Sequence, residues 1–192
     1  LSRHGFTMVE VRIVVAVMSV LASLAVPYFQ PNAVAQLKST AEVVASDIAF
    51  ARSMAISRGS EYTLTFDVKN NAYVLTHTGT QIAFDNLPAS PFHYDDIATE
   101  RSTRLSELPA WGAPAQIAAI HAQPDAGSPT AVTTVAFDSL GATTRSETTI
   151  VWLKIGQGTS FRCIAIEVDP ITGLETIGEV TNTIPASIAS LN

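Results

Sequence analysis

Cysteine is almost absent from this sequence: one residue, Cys163, in 192. A single thiol excludes an intrachain disulfide, so a small exported domain held by a disulfide framework is ruled out. Cys163 falls in FRCIAIEV, which alternates like a strand, and it reads as a buried small apolar residue. Nothing local supplies the depressed pKa and exposure that a reactive thiol needs. Charge is also scarce, at 15% of residues, and basic charge most of all. From residue 31 onward there are nine Lys and Arg against sixteen Asp and Glu, within a net charge of -6. Phosphate recognition relies on Lys/Arg patches, so this balance disfavours DNA as a partner unless a local basic patch overrides it. The motifs of common active sites are missing too: no G-x-S-x-G, H-E-x-x-H, C-x-x-C or P-loop occurs. Ser and Asp are abundant enough for chance triads, but no catalytic residue is assigned and the chain does not read as an enzyme. His77, His93 and His121 are scattered. HYDD, from His93 to Asp96, has two adjacent acids without EF-hand spacing and reads as a solvated loop. No metal site and no cofactor is assigned.

What is present in quantity is apolar sequence, 47% of the chain, concentrated at the start. From Ile13 to Val26 only Ser19 and Ser23 are polar. Extended from Phe6 to Phe29, the run is long enough to cross a hydrocarbon core of ~30 Å. Arg3 and His4 precede it, which suits a cytoplasmic amino end. Three readings compete. A secretory signal peptide would use Ala33-Val34-Ala35 for cleavage, leaving a start at Gln36, but the run is long for that and carries Glu10 and Arg12 in its first third. A plain membrane anchor explains the length but not Glu10, since an unpaired carboxylate in hydrocarbon costs several kcal/mol.

The third reading comes from GFTMVE, Gly5 to Glu10, followed by the apolar run. This resembles the class III leader of type IV pilins and pseudopilins. The resemblance implies cleavage between Gly5 and Phe6 by a prepilin peptidase and N-methylation of the new amine on Phe6. Residues 1–5 would be the leader and 6–30 a transmembrane and assembly helix. In such assemblies the apolar helices pack together in a fibre core, where a carboxylate needs a cation. The implied partner of Glu10 is the Phe6 amine of a neighbouring subunit, a pair that sets axial register. Arg12 departs from the family's apolar pattern. Residues two apart do not face each other on a helix, so Arg12 does not neutralise Glu10 within one chain. Two roles stay open: snorkelling to lipid phosphates, or contact with a neighbour's Glu10.

Pro27 and Pro31 each remove a helix donor, so a kink is expected between about Val26 and Asn32. Beyond them Val34, Leu37, Ala41, Val44, Ile48, Ala51 and Ala55 recur at spacings of three and four, one face of an amphipathic helix over 31–59 that stops at Gly59. A single helix from about Phe6 to Arg58, bent at the prolines, would run ~80 Å.

The remainder, 60–192, reads as β. EYTLTFDV alternates Tyr62, Leu64, Phe66 and Val68 against polar residues, and AYVLTHTG is its hairpin partner. AVTTVAF, TTIVWLKI, FRCIAIEV and LETIGEV follow, with turns at DSLG and DPITG. The expected fold is α+β, a long N-terminal helix packed on an antiparallel sheet or sandwich. Six of the ten prolines lie between Asn86 and Thr130, which reads as an insertion or long loop over about 86–130. Short helices fit at DDIATERSTRLSEL and PAQIAAIHA.

The order also resembles the GspH/FimT family of minor pseudopilins and minor pilins. The residues that carry this are Ala51, Arg52, Ser53, Ala55, Arg58 and Gly59 at the helix end, VAFDSLGA in the middle and IAIEVDPITG near the end. The implied function is a minor pseudopilin of a type II secretion system; a minor pilin of a type IV pilus is the alternative. A membrane-anchored exported enzyme or binding module is the rival from a different class. Implied partners are other pilin or pseudopilin subunits, the prepilin peptidase, the inner membrane and a secretion or pilus assembly platform. The implied location is the inner membrane, single-pass, with the globular part periplasmic. Some family members bind DNA through a basic stretch after the late Thr-Gly turn. Here Gly173 is followed by Leu174 and Glu175, with Glu167, Asp169 and Glu179 nearby, which repels phosphate.

Overall fold

The computed structural model describes residues 7–25, 33–88, 97–109, 114–156 and 161–185. The chain forms two compact units, Leu1–Asn32 and Ala33–Asn192. The first holds α1, Met8–Ala25. Its 18 residues amount to about 27 Å at the helical rise. Among the described residues no helix is long and apolar enough to cross a membrane; residue 6 and residues 26–30 of the expected span lie outside them. Pro27 and Pro31, expected to kink the helix, lie outside the described residues, as do Gly5 and Phe6.

In the second unit α2 spans Ala33–Arg58. Leu37, Ala41, Val44, Ile48, Ala51 and Ala55 are buried as their spacing requires, and Val34 is half-buried. The small residues on this stripe let the helix axis come close to the sheets. Gly59, at φ 59°, ends it: its N–H donates to Ile56 and that of Ser60 donates to Ala55, which satisfies two terminal carbonyls.

Among the described residues nine strands follow: β1 Tyr62–Asp67, β2 Ala72–His77, β3 Glu100–Arg104, β4 Gln116–Gln123, β5 Thr130–Ala131, β6 Thr134–Phe137, β7 Thr148–Ile155, β8 Arg162–Val168 and β9 Glu175–Ile177. They form two antiparallel sheets, ordered β3-β2-β1-β6 and β5-β4-β7-β8-β9. Helix α2 packs on strands of both sheets. The α+β fold expected from the pattern is therefore observed. β1 buries Tyr62, Leu64 and Phe66, and β7 alternates along its whole length with Val151, Leu153 and Ile155 inside.

Two expectations are corrected. The stretch expected to hold short helices contains β3 and β4. β4 lies between β5 and β7 and is buried over Ile117–Ala122. A continuous Ala/Ile run has no period that separates strand from helix, and its pairing partner lies some thirty residues downstream in β7. β3 is polar because it is an edge strand, where charge discourages further pairing. AVTTVAF, expected as one strand, is divided at Val132–Thr133 between β5 in one sheet and β6 in the other. At the crossing, Val132 donates to Ile120 and Thr133 accepts from Phe66, so the backbone changes sheets without losing its hydrogen bonds.

Candidate functional site

At the start of α1, Thr7 and Glu10 form a reciprocal cap. The Glu10 N–H donates to Thr7 Oγ1 at 3.2 Å, and the Thr7 N–H reaches Glu10 Oε2 at 3.4 Å. This is a capping box, with Thr7 at the N-cap and Glu10 at N3. Sequence reasoning missed it, although T-x-x-E before an apolar run is its signature. The cap turns the Glu10 carboxylate toward the amino end of the helix. Arg12 is exposed. So is every large apolar side chain from Met8 to Leu21, among them Val9, Ile13, Val17 and Met18.

Arg52 and the two turns that carried the family resemblance meet at one place in the second unit. Arg52 of α2 donates from Nε to two carbonyls, Thr172 at 2.8 Å and Gly141 at 3.2 Å. These belong to the DSLG and DPITG turns, which are thus held against each other and against the helix. Both turns need glycine. Gly141 has φ 84° and Gly173 φ 65°, and a Cβ on Gly173 would fall 2.0 Å from the Gly141 oxygen. An aspartate organises each loop. Asp138 accepts from the Leu140 and Ala142 N–H groups, and Asp169 from those of Ile171 and Thr172 and from the Thr172 hydroxyl. The bonds from Thr172 hold the Asp169 carboxyl below the usual range.

Arg58, at the helix end, donates to the Phe84 and Asn86 carbonyls and to the Tyr62 hydroxyl. It fixes the short 3-10 helix Ile82–Phe84 beside the sheet. A Ser-His-Asp chain lies next to it. Ser60 Oγ is 2.7 Å from His77 Nε2, and His77 Nδ1 is 2.6 Å from Asp85 Oδ1. A carboxylate only accepts, so Nδ1 donates to Asp85, and Nε2 faces the Ser60 hydroxyl. The connectivity is that of a hydrolase triad, but the surroundings leave no room for an acyl group. Ser60 is 7% exposed, and a Cβ on Gly79 would fall 2.1 Å from its Oγ. Two nearby amides that could receive an oxyanion are occupied: Ser60 N–H by Ala55 and Gly79 N–H by Glu61. The array tethers the helix end, β2 and the 3-10 segment.

A second buried network joins α2 to the edge strand. Buried Asp47 accepts from the Tyr73 hydroxyl at 2.7 Å, from Arg101 at 2.8 Å and from Thr103 at 3.3 Å. Burial, and then the negative charge of Asp47, push the Tyr73 phenol well above its ordinary range. The Arg101 guanidinium also stacks over Phe50. Cys163 is fully buried, as expected, with Sγ against Thr181 and Thr183. His121 on β4 is fully buried with neither ring nitrogen bonded, and burial lowers its pKa. HYDD lies outside the described residues, and among those described no group of three His, Cys, Asp or Glu could hold a metal. Glu167, Asp169 and Glu179 are exposed along β8 and β9, with Glu175 half-buried.

Residues 40–172 match the family described as type II transport protein GspH. The chain belongs to this family. The matched span begins on α2 and includes Arg52, its two carbonyl partners and the whole Ser60-His77-Asp85 tether. Two crystal structures of the type IV minor pilin FimU from Pseudomonas aeruginosa strain PAO1 are also similar. One has 12% identity over 74% of this chain and 93% of the other, with a TM-score of 0.45. The second has 13% identity over 80% and 94%, with a TM-score of 0.44. No curated protein matches the chain. Membership of the GspH family rests on the family match and supports a structural role as a pseudopilin or minor pilin.

Proposed function

We propose that this chain is a minor pseudopilin of a type II secretion system, a structural subunit of the periplasmic pseudopilus that serves protein export. The observation that carries the reading is the match of residues 40–172 to a family described by type II transport. The exposed apolar surface of α1 supports it, because such a helix needs lipid or other helices to cover it. In this reading a prepilin peptidase cuts between Gly5 and Phe6, and the Phe6 amine is methylated. The segment Phe6–Gln30, longer than α1 itself, is what meets the inner membrane before assembly. The unit 33–192 then lies on the periplasmic side. Subunits of the pilin class and the assembly platform are the partners. Glu10 pairs with a neighbour's Phe6 amine, and Arg12 marks a special position in the filament. The acidic β8–β9 face makes DNA a disfavoured ligand.

Deleting the gene in its native host and measuring export and piliation tests the system. Lost secretion with intact pili is the expected result. Lost pili with intact secretion overturns it in favour of a minor pilin. Mass spectrometry of the membrane-extracted protein should find N-methylated Phe6 at the amino terminus; an intact Leu1, or a start at Gln36, sinks the reading.

A further inference from the structure

Four large apolar side chains stand in the open around the Arg52 junction. Leu140, next to Gly141, and Ile171, two residues before Gly173, are each 82% exposed. Leu174, which follows Gly173, and Ile56, one turn beyond Arg52 on α2, are also exposed. They share one surface. Gly141 and Gly173 touch, since a Cβ on Gly173 would strike the Gly141 oxygen. Ile56 packs on Gly141, where a Cβ would fall 2.6 Å from Ile56 Cδ1. A single exposed leucine is ordinary, but a contiguous apolar patch marks a contact surface.

The patch is held still. The Leu140 N–H donates to Asp138 and the Ile171 N–H to Asp169, which fixes the backbone under each side chain. Arg52 fastens the two turns together, and the Thr143 N–H does so again by donating to the Pro170 carbonyl at 2.9 Å. A surface fixed in this way loses little freedom when it is covered. Its margin is acidic. Asp138 and Asp169 lie in the turns, with Glu167 and Glu175 beside them on β8 and β9. They outnumber the guanidiniums of Arg52 and Arg145, which are engaged by oxygens of Gly141, Thr172 and Thr134. Ile56 is about 35 Å along α2 from Ala33 at the helical rise. The patch thus occupies the end of the second unit remote from the point where the chain enters it.

We infer that the Leu140/Ile171 patch seats a different subunit of the pilin class, one whose matching surface is apolar at its centre and basic at its margin. Charge complementarity selects that chemistry. Two copies of this chain meeting through the patch would oppose their own acidic margins, which disfavours a homodimer. A fixed apolar surface suits a standing contact, whereas exported cargo has to be released, and transient interfaces are smaller and more polar. A subunit with a special position is then recognised twice, through its apolar helix and through this patch. The inference rests on the reading of the chain as a minor subunit that assembles, in either system.

The test is photo-cross-linking of the full chain in its native host. Benzoyl-phenylalanine replaces Leu140 or, separately, Ile171, and linked peptides are identified by mass spectrometry. The expected product is a different protein that itself carries a prepilin leader, joined at a stretch with more Lys and Arg than Asp and Glu. With the probe at 171, Leu140→Asp should lower its yield about tenfold, the scale of an anchor residue. Ile171→Asp with the probe at 140 is the independent variant. Both side chains are already in solvent, so near-UV circular dichroism and the thermal melt should match the wild type, and either variant suffices if the other misfolds. Links to exported cargo, to a second copy of this chain, or to no protein in a chain that enters filaments overturn the patch. So does an equal yield from a probe at the exposed Lys69 in the β1–β2 turn. A wild-type chain that never enters filaments overturns the assembly reading itself.

Discussion

Glu10 has two candidate roles, and replacing it by Gln separates them. The structure makes Glu10 the N3 partner of Thr7, a local role that Gln fills as well, because its amide oxygen also accepts the N-cap N–H. The assembly role requires the negative charge. Losing the cap altogether costs roughly 1 kcal/mol, about fivefold in any equilibrium that needs the helix end intact. Leaving a neighbour's ammonium unpaired in a packed helical core costs roughly 3–5 kcal/mol, a hundredfold or more. Incorporation, read as the share of the chain in sheared filaments against the membrane pool, should collapse for both Glu10→Gln and Glu10→Ala. Thr7→Ala, which breaks the cap and keeps the charge, should lower it only severalfold. Wild-type incorporation of Glu10→Gln refutes the charge role and leaves Glu10 a helix cap.

Arg52→Ala removes a guanidinium bond shared by two turns and should cost about 2 kcal/mol, seen as a lower urea midpoint at unchanged slope. Gly173→Ala should be worse than Gly59→Ala. Both have left-handed φ, with its penalty of about 1–2 kcal/mol, but only at Gly173 does the new Cβ strike a backbone oxygen. Equal losses in thermal melts of the two variants would disprove the close approach. His121 is buried neutral, so the unfolded chain binds more protons than the folded one once pH falls below the ordinary value of 6.5. Its contribution is complete above that value and is lost as pH drops toward the lowered folded pKa, at no more than about 1.4 kcal/mol per pH unit. His121→Leu should flatten the stability profile in that range, and an unchanged slope would assign the effect to other groups.

The regular elements were readable in advance. The three-four spacing from Leu37 to Ala55 and the alternation in β1 and β7 each imply one buried face, and those faces are buried. Arg52 and Arg58 stood out as a motif, but their roles did not, because each acts on carbonyls distant in sequence. Arg52 meets carbonyls 89 and 120 positions away. The Ser60-His77-Asp85 chain is a juxtaposition of the hairpin and the 3-10 turn and has no motif of its own. The misplaced region, β3 to β5, is where local pattern fails. A central strand buried on both faces has no alternation, and a strand that changes sheets midway looks continuous.

By itself the sequence determined the class of the chain: an apolar helix behind a leader-like GFTMVE, an amphipathic helix ended by glycine, and a run of short strands. Periodicity, caps and turn residues act over a few positions, so they can be read locally. The tertiary structure alone decided which strands share a sheet and that Arg52 binds the two turns together. Those features depend on long-range pairing, where the energetics belong to residues that chain order does not bring together.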